Sequence, residues 1–150
     1  MMLGTSHAGA SLKWRLCKDV MKIIIADDCQ NHLVSLKNLL EENYFITITS
    51  DNGNDAWEKI SVHDDTGLFI LDYHMPGFNA LEICSKIRCH DQHRSKPILI
   101  YTSENSLNLR AKSKELGAMW LVKPINSNAL ISVIKKMQIK FCDPSLEHQK

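Results

Sequence analysis

The chain has 150 residues, 44% of them hydrophobic and 23% charged, and its eighteen Lys and Arg nearly balance seventeen Asp and Glu for a net charge of +1. A chain of this size is one ordinary domain and buries about 68–70% of its unfolded surface, so it forms a core without staples. This composition excludes disordered, collagenous and disulfide-scaffold proteins. The near-balance of charge does not suggest a nucleic-acid or membrane-surface protein, which usually shows a basic patch or tail.

The first twenty residues carry no apolar run long enough for a signal peptide or a membrane span, and read as a flexible N-terminal extension. Met21 opens an ordered domain that runs to about residue 140. Ile23-Ile24-Ile25-Ala26 is continuous and β-branched, as in a strand buried on both faces. Leu33, Leu36, Leu39 and Leu40 fall at helical spacing within 31–42. Residues 45–49 form a second strand, 56–62 lie on a second helix, and 68–71 form a third strand. A third helix spans 81–87, with Leu81, Cys84 and Ile87 on one face. Pro97 opens a fourth strand at 98–101, where a missing N–H is tolerated. A polar helix follows over 106–116, stopped by Gly117 as a C′ residue. Residues 119–122 are the fifth strand, a helix over 127–139 follows, and 141–150 are a tail. Five β-then-α units with continuous apolar strands predict an α/β fold with a parallel sheet and helices on both faces.

The cysteines, Cys17, Cys29, Cys84, Cys89 and Cys142, are odd in number and lack C-x-x-C spacing, which reads as reduced thiols in a cytoplasmic protein. A metal site built from Cys84, Cys89, His90 and His93 is set aside, because helical residues five apart lie about 140° apart around the axis.

In an open parallel sheet, ligands sit beyond the carboxyl ends of the strands. The first strand ends in Asp27-Asp28, the second in Ser50-Asp51, the third in Asp72, the fourth in Thr102-Ser103 and the fifth in Lys123-Pro124. Gathered carboxylates repel one another and call for a hard divalent cation; Mg²⁺ takes one or two carboxylates together with waters and a phosphate oxygen. Lys123 and Thr102 supply a positive charge and a hydroxyl donor for a phosphoryl group, and a carboxylate is itself a competent nucleophile. The constellation reads as phosphoryl transfer to an aspartate. Taken singly, each of these residues is a turn former, a cap or a solvated side chain.

The ordered set Asp27-Asp28, Asp72-Tyr73-His74-Met75-Pro76-Gly77, Thr102 and Lys123-Pro124 resembles the receiver domain of bacterial two-component response regulators, of the single-domain chemotaxis type, over about residues 21–140. The resemblance implies a flavodoxin-like (βα)₅ fold with Asp72 as phosphoacceptor. The phosphoryl group would come from a sensor histidine kinase or a histidine phosphotransfer protein. Asp27, Asp28, Asp72 and the backbone carbonyl of His74 would hold Mg²⁺, and Thr102 and Lys123 would bind phosphoryl oxygens. Lys123-Pro124 would be a cis peptide. Thr102 and Trp120 would form the switch, with Trp120 where the family places Tyr or Phe; the plainer alternative is a Trp half-packed on a strand edge.

Asn79-Ala80 replaces a frequent Asp-Gly and Ser103 a frequent Ala, while His74 and Glu104 stand two residues after Asp72 and Thr102. An unusual phosphoryl lifetime is the expected consequence. The short tail after the last helix leads us to expect a stand-alone signalling switch, not an enzyme beyond its own phosphorylation and dephosphorylation. Its output is then a protein target, without DNA or membrane binding. His32, Leu33, Ser35 and Leu36 are the expected kinase dock. The 106–116 and 127–139 helices with Trp120 are the expected output face, which also offers a route to a phosphorylation-dependent dimer. Lys135, Lys136 and Lys140 suit an acidic partner or, more simply, a solvated helix end. The competing readings are a phosphorylation-independent scaffold, an aspartyl-nucleophile phosphatase with His74 as proton shuttle, and a nucleotide binder. The last lacks a Gly-rich phosphate loop after the first strand.

Overall fold

The computed structural model describes residues 21–142, with side chains through Gln138. The N-terminal extension and residues 143–150 lie outside the described residues. Five strands, β1 (Lys22–Ala26), β2 (Ile46–Ser50), β3 (Thr66–Leu71), β4 (Ile98–Thr102) and β5 (Met119–Val122), alternate with five helices. These are α1 (Gln30–Glu42), α2 (Gly53–Val62), α3 (Ala80–Arg88), α4 (Leu107–Glu115) and α5 (Ser127–Cys142). All strand pairs are parallel, in the order β2-β1-β3-β4-β5. This is the flavodoxin-like α/β architecture expected from the sequence.

Strand side chains alternate between faces with period two, and the core divides accordingly. Ile23, Ile25, Leu68, Ile70 and Leu99 pack with Leu33, Leu36 and Leu40 of α1 and Leu130, Ile131 and Ile134 of α5. Ile24, Ala26, Phe69, Leu71, Ile98 and Ile100 pack with Ala56 and Ile60 of α2 and Ile83, Cys84 and Ile87 of α3. Every residue of β3 is buried, which is why its sequence reads as an unbroken apolar run.

The boundaries shift where caps and not periodicity decide. Helix α2 starts at Gly53, three residues before Ala56, because the Asn52 side chain accepts the Asp55 N–H at 2.8 Å and caps it. Phe45 is not part of β2: its N–H caps the end of α1 by donating to Leu40 O, and its ring enters the core. Strand β3 begins at Thr66, whose hydroxyl donates to His63 O. Helix α5 continues to Cys142, past Ile139; the first helix-breaking residue in the sequence beyond it is Pro144. Gly117, at φ 73°, follows the C-cap Leu116 of α4 as expected.

The amino end of the sheet is held by side-chain N–H donors on backbone carbonyls. The Arg88 guanidinium donates to the carbonyls of Arg94, Lys96, Leu116 and Gly117. It thereby ties α3 to the loops before β4 and β5. Lys96 donates its ammonium to Asp64 O, and His93, fully buried, donates Nε2–H to Ile60 O at 2.8 Å. Burial pushes the Lys96, Arg88 and His93 pKa values down.

Candidate functional site

The register of the sheet assembles the site. Ala26 pairs with Leu71, so Asp27 and Asp72, each one residue further, stand at the same level at the mouth between β1 and β3. That is also where the winding of the sheet reverses, the position at which open α/β sheets bind ligands. Thr102 pairs with Val122, which brings Lys123 to the same rim. The backbone continues these ladders, with Asp72 N–H donating to Ala26 O at 2.9 Å and Lys123 N–H to Thr102 O at 2.8 Å.

Three carboxylates, Asp27, Asp28 and Asp72, offer oxygens that lie within 4.8 Å of one another. Asp27 is buried, its Oδ1 accepting the Cys29 N–H at 2.9 Å. The Lys123 ammonium lies 2.6 Å from Asp27 Oδ2 and 3.6 Å from Asp72 Oδ2. Burial pushes the Asp72 carboxyl above the usual carboxylate range. The Thr102 hydroxyl and Lys123 pull against this, and Asp27 adds to the rise. One ammonium therefore faces three carboxylates, and a hard cation with oxygen ligands fits the donor set.

The loop after Asp72 is shaped by two glycines. Gly77 takes φ 82°, and a Cβ there would meet Asn54 Oδ1 at 2.7 Å. Gly53, at the start of α2, donates its N–H to Pro76 O at 2.8 Å; a Cβ on it would lie 1.9 Å from Phe78 O. Asn79, singled out as a departure, closes the loop as the N-cap of α3 in a reciprocal capping box with Glu82. Asp28, Asp51, Asn52, Asn54, Pro76 and Gly77 line the hollow beside the carboxylates.

Two contacts escape sequence reasoning. His74 and Glu104, both flagged singly, meet with Nε2 and Oε1 2.7 Å apart and bridge the ends of β3 and β4. His32 Nδ1 lies 3.3 Å from Lys123 Nζ, across 91 residues of chain. Of the expected dock, Leu33 and Leu36 belong to the core, where α1 meets the sheet, and His32 and Ser35 stay exposed beside Val34. Leu36 still contributes, with His32, Leu39, Tyr101, Ile125 and Leu130, to a groove of about 420 Å³ that opens onto Asp27 and Lys123.

Thr102 is fully buried and Trp120 half-buried. The Trp120 indole packs on the core layer of α2 and α3 and donates Nε1–H to Glu104 O at 3.0 Å, which ties it to the loop that follows Thr102. Lys123-Pro124 is cis. Cys84 is buried in the core, its thiol pushed up to about 12 by burial, and stands apart from His90 and His93, which stack on each other. Among the described residues no helix is long and apolar enough to cross a membrane.

Comparison with known proteins agrees with this geometry. Residues 23–135 match the family model of the response regulator receiver domain. Chemotaxis protein CheY1 of Helicobacter pylori is 29% identical over 73% of the chain and 90% of its own length. The response regulator ArlR of Staphylococcus aureus is 35% identical over 76% of the chain, which spans 51% of that protein. Among solved structures, the chemotaxis protein CheY4 of Vibrio cholerae superposes with a TM-score of 0.73 at 26% identity, covering 79% of this chain and 98% of that one. A chain of the same (βα)₅ order, with three carboxylates, a threonine and a lysine on one rim, thus belongs to the response regulator receiver family of two-component signal transduction.

Proposed function

We propose that the protein is a phosphorylation-controlled protein-binding switch that takes a phosphoryl group on Asp72 from a phosphohistidine of a sensor histidine kinase or histidine phosphotransfer protein. One observation carries this reading: the oxygens of Asp27, Asp28 and Asp72 cluster within 4.8 Å, and the Lys123 ammonium lies 3.6 Å from Asp72 Oδ2. Asp27, Asp28, Asp72 and the His74 backbone carbonyl are the proposed Mg²⁺ ligands. The ion supplies charge neutralisation between the carboxylates and an incoming phosphoryl group.

An Asp72 carboxylate oxygen attacks phosphorus, the P–N bond to the donor imidazole breaks, and its electron pair leaves on that nitrogen. Lys123 and Thr102 hold the equatorial oxygens in this reading, which their present contacts with Asp72 support. Hydrolysis then needs water to reach the acyl phosphate. The His74–Glu104 pair bridges that rim. Breaking it with His74→Asn should shorten the phosphoryl half-life about tenfold, equivalent to about 1.4 kcal/mol of barrier; loss of label followed by intact mass measures it.

Trp120, bonded to the backbone two residues after Thr102, is positioned to follow any shift of that loop. Its neighbours give the output face its chemistry: exposed Leu107 lies beside Arg110 and Lys114 of α4 around the Trp120 ring, with Lys135 and Lys136 exposed on α5. An amphipathic partner segment with acidic flanks suits that face, and so does a phosphorylation-dependent dimer bridged by α4.

The test is incubation with Mg²⁺ and a small acyl-phosphate donor, read by intact mass. Wild type should gain one acid-stable, base-labile phosphoryl group. Asp72→Asn should gain none, and chelation of Mg²⁺ should suppress the reaction. A wild-type chain that stays unmodified and fails to bind beryllium fluoride would overturn the reading in favour of a phosphorylation-independent scaffold.

A further inference from the structure

Asp64, His90 and His93 converge at the amino end of the sheet, the end opposite Asp72. One ligating atom from each lies within 4.8 Å of the others. The cluster joins two connections, the turn from α2 into β3 that carries Asp64 and the segment from α3 into β4 that carries both histidines. His93 is the informative member. It is completely buried, and its Nε2 faces a backbone carbonyl, Ile60 O, at 2.8 Å. A carbonyl only accepts, so Nε2 carries the proton and the lone pair falls on Nδ1. Among the described residues that buried Nδ1 meets no hydrogen-bond partner.

We propose that Asp64, His90 and His93 form a binding site for a divalent transition-metal ion of zinc-like character, separate from the carboxylate rim. Two imidazoles and a carboxylate favour such an ion over Mg²⁺ or Ca²⁺, which prefer all-oxygen shells. The hydrogen bond from His93 Nε2–H to a backbone carbonyl is the outer-shell arrangement that orients metal-ligating histidines. Lys96 adds to it by donating to Asp64 O and holding the Asp64 turn against the α3–β4 segment.

A tetrahedral ion with bonds of about 2.0–2.1 Å needs ligand atoms about 3.4 Å apart, so the cluster closes somewhat on binding. His93 is anchored, whereas Asp64 is exposed and His90 half-exposed. The His90 ring, stacked 4.6 Å from that of His93, swings off the stack to bring a nitrogen onto the ion; if it binds through Nδ1, the ion replaces the 3.2 Å contact with Gln92 N–H. The bound ion is a clasp between the two connections and leaves a coordination position for water or an added ligand.

Zinc titration of the untagged full chain by calorimetry, in excess Mg²⁺ so that the rim is saturated with its own ion, tests this. The expected result is one equivalent of Zn²⁺, weakened at least about tenfold by His90→Ala and by Asp64→Asn and unaffected by Asp28→Ala. Zinc should raise the Tm of wild type and not that of His90→Ala. His93→Ala removes the anchor to Ile60 and risks the fold, so the two solvent-accessible variants decide. Absence of zinc binding, or binding that survives His90→Ala because the ion sits on cysteines or on the terminal segments, overturns the proposal.

Discussion

The two ends of the sheet use ionisable residues in opposite ways. At the carboxyl end three carboxylates face one lysine, and burial together with Asp27 pushes the Asp72 carboxyl upward, so charge is gathered there against its own preference. At the amino end His93 and Lys96 are buried and Arg88 half-buried, and each donates to backbone carbonyls around it. The first arrangement crowds like charges and costs stability, while the second commits its N–H donors to holding the connections between elements. Perturbed groups occur at both ends, and the partners they meet, like charges at one and backbone carbonyls at the other, are what tell the two apart.

The comparison breaks first at Arg88. Arg88→Ala strips the donor from four carbonyls and should destabilise the fold by about 2–3 kcal/mol in urea unfolding, since each lost bond to a charged donor costs about 1.5–3 kcal/mol and water recovers part of it. Phosphoryl acceptance by the folded fraction should be unchanged. A comparable loss of acceptance would mean that the two ends are coupled.

Asp72→Asn should act with the opposite sign. It removes a desolvated charge from beside Asp27, and in chelator-treated protein it should stabilise the fold by about 1 kcal/mol. The gain should shrink when Mg²⁺ is added. A destabilised Asp72→Asn would show instead that the Lys123 contact outweighs the repulsion.

The smallest effect belongs to Asp55, which borders the rim on α2. Hydrogen bonds from Lys59 and then Ser50 hold its carboxyl below the usual range. A depressed carboxylate pKa stabilises above the unfolded value of about 4 and loses that contribution as pH falls through the folded value. Its side chain is 37% exposed, so screening keeps the contribution below about 1 kcal/mol. Asp55→Asn should therefore flatten the acid limb of the stability curve slightly and leave neutral pH almost untouched.

How legible each end was in the sequence follows from the same contrast. Strands buried on both faces leave unbroken runs such as Ile23-Ile24-Ile25, and the residue that ends each run is the residue on the rim; Asp27, Asp72, Thr102 and Lys123 are therefore read directly from the chain. Long-range partners are not. Nothing in the sequence around His32 points to Lys123, and His74 and Glu104 give no sign of meeting until β3 and β4 lie side by side. The amino end is harder still. His90 to Lys96 looks like a polar loop, yet His93 and Lys96 are buried, and the bonds to Ile60 O and Asp64 O that satisfy them there have no sequence pattern. Leu33 and Leu36 show the converse: their helical spacing marks them as core, and only their place near the rim made them look like a docking surface.

The central claim is that the carboxyl-end cluster accepts a phosphoryl group on one particular carboxylate. Its most direct test is to treat the protein with an acyl-phosphate donor and Mg²⁺, trap the adduct with borohydride, and map the reduced residue by peptide mass spectrometry. Reduction confined to position 72 is the predicted result. Reduction at Asp27 or Asp28, or label on a histidine with Asp72 intact, would contradict it.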